Sequence, residues 1–111
     1  MTSSHQVAAE ILDPTRIWIE VVTLSGRAAS VEFRFLKDTV EVWHAERRSG
    51  VFDRTELRIW LAEPFSALTV DEVSLTLDLA VDRLGRVAIT LPDVRAWTLS
   101  PVELDNLRDQ V

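Results

Sequence analysis

The sequence predicts an α+β domain: an antiparallel sheet with two helices laid against it, a curved or half-closed barrel being one form open to that sheet. Two alternating stretches predict the sheet. Ser30 to Lys37 sets Val31, Phe33 and Phe35 against Glu32 and Arg34, and Val73 to Val81 sets Val73, Leu75, Leu77, Leu79 and Val81 against Ser74, Thr76, Asp78 and Ala80. A period of two marks a strand with one buried side. The helices follow from a third observation: Asp53 and Ser100 each precede a Glu at the third helical position and then a stripe of apolar residues at helical spacing.

Taken in order, residues 1–14 form an N-terminal segment that can be loose or hold a short helix, since Val7, Ala8, Ile11 and Leu12 have helical spacing before Asp13-Pro14 stops them. Arg16 to Leu24 is a β-rich run that turns at Ser25-Gly26. Ser30 to Lys37 and Thr39 to Arg47 follow as strands around a Lys37-Asp38 turn, giving a three-stranded meander. Arg48-Ser49-Gly50 reads as the connection into the first helix, Asp53 to Pro64. There Asp53 caps the free N–H groups, Glu56 can reach back, Phe52 can pack over Leu57, and Pro64 ends the helix. Its stripe is Leu57, Trp60 and Leu61.

Phe65 to Thr69 reads as a loop, and the strand Val73 to Val81 pairs with Val87 to Leu91 through a turn containing Gly85. Val94 to Leu99 is a further strand or an extended crossing. Ser100-Pro101-Val102-Glu103 opens the closing helix, with Leu104, Leu107 and Val111 as its buried stripe. A chain of 111 residues supports one such domain, and no repeat or low-complexity linker divides it.

Composition narrows the function more than it names it. Without cysteine there is no disulfide, thiol nucleophile, iron–sulfur cluster or cysteine-held zinc. A net charge of −6, with basic residues dispersed, argues against a nucleic-acid partner. The longest apolar run, Ile59 to Ala62, is far short of the ~20 residues of a membrane span, and Met1 to Ala9 has no signal-peptide pattern; the expectation is a cytoplasmic protein without membrane partners. Three scattered glycines make no phosphate loop. His44 is in phase with Val40 and Val42 and reads as a residue packed at a strand end; with Glu46 it could contribute to a metal site, but no spacing supplies the other ligands. The carboxylates are spread as on a solvated surface. The expectation is therefore no catalytic residue, no metal and no cofactor.

What stands out is apolar. Opposite Ile17, Ile19, Val21, Val31, Phe33 and Phe35, the second face of the meander carries Trp18, Val22, Leu24, Leu36 and Trp43 among Glu20, Glu32, Arg34 and Glu41. An antiparallel sheet with one wet side needs a single apolar face. The second must be covered by the chain's own helices and hairpin, by closure into a barrel, by an identical subunit or by another protein. Tryptophan beside arginine is typical of interface centres, which makes Trp18, Val22, Leu24, Arg34, Leu36 and Trp43 the candidate interface.

Val51-Phe52-Asp53-Arg54-Thr55-Glu56-Leu57, of the form Val-Phe-x-Arg-x-x-Leu at the entry to a short helix, resembles the corresponding stretch of the SsgA-like proteins, actinobacterial regulators of sporulation-specific cell division. The element order and the hairpin around Gly85 to Leu91 are also similar. The resemblance implies a non-enzymatic, self-associating protein that helps localise division machinery, and it carries over no individual functional residue. Two readings follow. One is a self-associating interaction or scaffold protein. The other is a monomeric acidic module for one basic partner, such as an immunity protein or a secretion chaperone.

Overall fold

The computed structural model describes residues 15–72 and 75–111, and the side chains of 15–70 and 78–111. The N-terminal segment and the first two residues of the strand expected from Val73 lie outside them. The elements run β1 (Thr15–Val22), β2 (Ala28–Phe35), β3 (Thr39–His44), β4 (Arg47–Asp53), α1 (Arg54–Ala62), β5 (Leu68–Glu72), β6 (Leu75–Val81), β7 (Val87–Leu91), β8 (Val94–Thr98) and α2 (Pro101–Gln110). They form two antiparallel four-stranded sheets, β1-β2-β3-β4 and β5-β6-β7-β8, which do not close into a barrel. The domain is α+β, as expected.

Two strands exceed the expectation. The meander continues into β4, where the sequence reading placed a connection at Arg48-Ser49-Gly50. The reason is the turn. Ala45 and Glu46 both take positive φ, 51° and 61°, so a two-residue loop closes the β3–β4 hairpin without the Asn or Gly that such loops ordinarily use. β4 is also poor in β-formers, and its register shifts between Val42 and Trp43, which breaks the alternation at Ser49-Gly50. Likewise β5 occupies part of the expected loop, pairing Leu68 with Leu79 and Val70 with Leu77. The alternative left open for Val94 to Leu99 resolves as strand β8.

The inner faces of the two sheets and the two helices share one core. Ile19, Val31, Phe33, Val40 and Val42 from the first sheet meet Leu79, Val87 and Ile89 from the second, with Leu57, Leu61 and Leu107 from the helices, all fully buried. Both helix starts are built as the sequence implies: Asp53 accepts from the Glu56 N–H, and Ser100 and Glu103 exchange bonds as a complete capping box. Arginines tie the ends together. Arg54 donates to Leu36 O and Gln110 O at 2.6 Å each, Arg58 to Val111 O at 2.7 Å, and Arg108 to Leu61 O at 2.9 Å.

The architecture is a repeat that the sequence conceals. Each half is four antiparallel strands followed by a helix, and Thr39–Pro64 corresponds to Arg86–Val111 residue for residue. The two-residue hairpins Ala45-Glu46 and Pro92-Asp93, the β-bulges in the pairings that follow them, and the caps Asp53 and Ser100 all coincide. Buried Val40, Val42, Phe52 and Trp60 match buried Val87, Ile89, Leu99 and Leu107. Identity in this stretch is confined to Val40/Val87, Arg48/Arg95, Glu56/Glu103 and Leu57/Leu104. The halves exchange edges: β1 lies beside β8, joined by a Thr23–Val94 bridge, and β4 lies beside β5. What is repeated is the pattern of burial rather than the residues.

Candidate functional site

The outer face of the first sheet is built by alternation. Because Ile17, Ile19 and Val21 point inward, Trp18 and Glu20 point outward; by the same rule β2 presents Glu32 and Arg34, and β3 presents Glu41 and Trp43. Register then sets the rows. Trp18 stands opposite Glu32, Glu32 opposite Trp43 and Trp43 opposite Arg48, while Arg16, Arg34 and Glu41 form the adjacent row.

Within this grid the charges are organised around one ring. The Arg34 guanidinium lies 4.0 Å from the centroid of Trp43, and the Trp43 Nε1–H donates to Glu41 Oε1 at 3.1 Å. Arg48 meets the other Glu41 oxygen at 3.3 Å. Glu32 stands between Arg34 at 3.1 Å and Arg16 at 3.4 Å. Glu32, Glu41 and Arg34 are largely buried while Arg16 and Arg48 reach water, so the pairs that Arg16 and Arg48 make contribute little each, about 0–1 kcal/mol, and a cation–π contact near the surface about 0.5–1 kcal/mol. Their effect is to hold the side chains upright and ordered. Beside them Trp18 is 58% exposed, and with Ser30, Glu32, Arg34 and Trp43 it borders a depression of about 170 Å³.

Among the described residues, no other element covers this face. Both helices and the second sheet pack on the inner side, so of the covers left open by the sequence neither the chain's own helices and hairpin nor barrel closure accounts for the outward tryptophans. Of the candidate interface residues, the fold brings Trp18, Arg34 and Trp43 together. Val22 lies at the end of β1 on the same face. Leu24 sits in the turn beyond it, exposed, its N–H donating to Asp93 O. Leu36 lies at the opposite end, where its carbonyl accepts from Arg54. Neither leucine joins the tryptophan cluster.

The sequence reading missed a second feature. On α1, Ile59 is 67% exposed, and Phe65 in the following loop is 84% exposed. With Glu56, Trp60, Glu63 and Leu68 they line a notch of about 260 Å³. Trp60 Nε1 donates to Ser66 O at 2.6 Å, which fixes the loop after Pro64 and the notch with it. Ile59 falls outside the Leu57-Trp60-Leu61 stripe, and that was its signal.

For chemistry the described residues offer little. His44 Nδ1 stands 3.4 Å from Ser30 O, and no group of three His, Cys, Asp or Glu side chains among the described residues could hold a metal ion. One carboxylate is perturbed. Asp82, in the β6–β7 hairpin, is held below the ordinary aspartate range, first by the Arg86 backbone N–H and then by the Arg86 side chain and the Leu84 N–H. That is turn chemistry. Among the described residues no helix is long and apolar enough to cross a membrane. Compared with protein-family models, curated proteins and solved structures, the chain matches none.

Proposed function

We propose that this chain is a non-enzymatic interaction protein that self-associates through the outer face of its first sheet. The observation that carries the reading is Trp18, more than half exposed in mid-strand beside the Arg34–Trp43 stack, on a face that no other element among the described residues covers. Exposed tryptophan held next to ordered arginine is what the centre of a protein interface looks like before its partner arrives. The resemblance of Val51 to Leu57 to the SsgA-like proteins supports self-association and suggests a role in actinobacterial cell division or sporulation, carried out in the cytoplasm.

Light scattering on a sizing column, over a hundredfold range of concentration, tests the reading. The wild-type chain should exceed its monomer mass of 12.6 kDa, and Trp18→Glu should return to it. Because Trp18 faces water in the isolated chain, the variant should keep its fold, within roughly 0.5 kcal/mol of the original stability. A wild-type monomer at every concentration would overturn self-association and leave the net charge of −6 to the reading as an acidic module for a basic partner.

A further inference from the structure

The two halves differ at a turn and at a helix, and each half exposes an apolar side chain at one of them. The turn between β6 and β7 spans residues 82–86, against 36–38 between β2 and β3, and it lifts Leu84 into solvent, 75% exposed, where Leu36 of the shorter turn is half-buried. On the helices, Ile59 and Glu63 of α1 stand where α2 has Asn106 and Gln110. The fold builds each element in its other half without the exposed apolar group, so it requires neither Leu84 nor Ile59.

The longer turn is fixed and basic. Asp82 accepts from the N–H groups of Leu84 and Arg86 at 2.9 Å each and from the Arg86 guanidinium at 2.8 Å, while the Gly85 N–H donates to Asp82 O at 3.0 Å. Leu84 is thereby presented in one position, and a tip ordered in advance loses little freedom on contact. The charged groups of the tip are Arg83 and Arg86 against Asp82, a net charge of +1. The α1 notch is the reverse. Its charged lining is Glu56 and Glu63, around Ile59, Trp60, Phe65 and Leu68. The basic residues of α1 face away from it, Arg54 and Arg58 donating to the carbonyls of Gln110 and Val111 at the end of α2. At about 260 Å³ the notch admits an isobutyl side chain, and Leu84 does not line the notch of its own chain.

We infer that the β6–β7 tip of one copy seats Leu84 in the α1 notch of a second copy, with Arg83 and Arg86 against Glu56 and Glu63. In a chain of net charge −6 this tip sets an apolar group among arginines, which suits an apolar notch rimmed by carboxylates. The contact is separate from the sheet face. By itself it is small and holds only at high concentration; resting on the self-association proposed above, it joins sheet-face assemblies to one another.

The Trp18→Glu variant isolates it, because the sheet-face contact is gone. In proton–nitrogen correlation spectra from micromolar to millimolar protein, the amides of Ile59, Phe65 and Leu84 and the indole N–H of Trp60 should move with concentration, and less so at high salt. Adding Leu84→Glu should stop the movement, and so should adding Ile59→Glu. Mixing these two double variants should restore it, at the notch of the first and the tip of the second. Circular dichroism checks that each variant is folded. Spectra that do not change with concentration overturn the contact. Movement that persists with Leu84→Glu overturns it as well, since the notch then takes something other than the tip. Either result leaves self-association through the sheet face standing, and a wild type that stays at 12.6 kDa in light scattering overturns that reading alone.

Discussion

The two sheets share strand order, hairpin positions and bulges, yet their outer faces differ at most positions. Around the pairing of Glu32 with Trp43 the first sheet gathers Trp18, Arg16, Arg34, Glu41 and Arg48; around the equivalent pairing of Asp78 with Thr90 the second has Thr69, Ala80, Ala88 and Arg95, the arginine being the one residue of this set that both share. On the inner faces the residues are interchangeable in kind: Val40 and Val87, Val42 and Ile89, Phe52 and Leu99. Folding acts on the inner face, which must exclude water in both halves, and it leaves the outer face free to diverge. Large side chains kept on one outer face and not on the other therefore answer to something besides stability. The second sheet shows what the first could have been.

The inner layer allows the sharpest attempt to break the equivalence. Leu57 and Leu104 are the same residue at the same helix position, but Leu57 is fully buried and Leu104 only half-buried. Leu57→Ala should cost about 2–5 kcal/mol in urea unfolding, through lost burial and the cavity left behind. Leu104→Ala should cost less than half as much. Equal losses would mean that the halves contribute symmetrically to the core, contrary to their burial.

The hairpins after β3 and β7 offer a smaller and opposite effect. Ala45 and Glu46 occupy the left-handed region, which disfavours side chains by roughly 1–2 kcal/mol per residue, whereas Pro92 and Asp93 do not take positive φ. Replacing Ala45-Glu46 by Asn-Gly should stabilise the protein by about 1–2 kcal/mol, because that pair prefers the turn already present. The same replacement at Pro92-Asp93 should give no gain. A gain at both sites, measured by thermal unfolding, would show that the two turns are alike in conformation.

These hairpins also explain how far the fold was legible. Alternation in Ser30 to Lys37 and in the stretch around Leu75 to Val81, and the caps at Asp53 and Ser100, each declare themselves over a few residues, so class, helices and most strands could be read. β4 could not be, since its turn lacks Asn and Gly and its bulge interrupts the alternation at Ser49. The repeat was hidden for a related reason: a buried position accepts Trp60 in one half and Leu107 in the other, and sequence comparison sees no identity there. Of the candidate surface, Trp18, Arg34 and Trp43 could be placed on one face by alternation alone. The notch could not be placed, because Phe65 follows Pro64 and the path of its loop, fixed in part by the Trp60–Ser66 bond, brings it beside Ile59. Local patterns are written in neighbouring residues, and a loop's path is written in a distant one.

The remaining pair of hairpins, after β2 and β6, differs in what anchors it, and pH separates the two. The β2–β3 turn is held from outside: Arg54 donates from its backbone to Asp38 O at 3.0 Å and from its side chain to Leu36 O. The β6–β7 turn is held from within. Asp82 accepts from the N–H groups of Leu84 and Arg86 at 2.9 Å each, and Arg86 returns its guanidinium at 2.8 Å. Those donors hold the Asp82 carboxyl below its ordinary range, so its stabilising effect is complete above the unfolded value and is lost as pH falls through the lower folded one. The Arg86 amide resonance should therefore titrate with a midpoint below that of an unperturbed aspartate, and Asp82→Asn should abolish the titration. The wild type should be the more stable of the two at neutral pH, and the difference should vanish in acid. A midpoint at or above the ordinary aspartate value would mean that the turn is held by its backbone bonds, Asp82 N–H to Arg86 O at 2.9 Å and Gly85 N–H to Asp82 O at 3.0 Å, with the positive φ of 77° at Gly85.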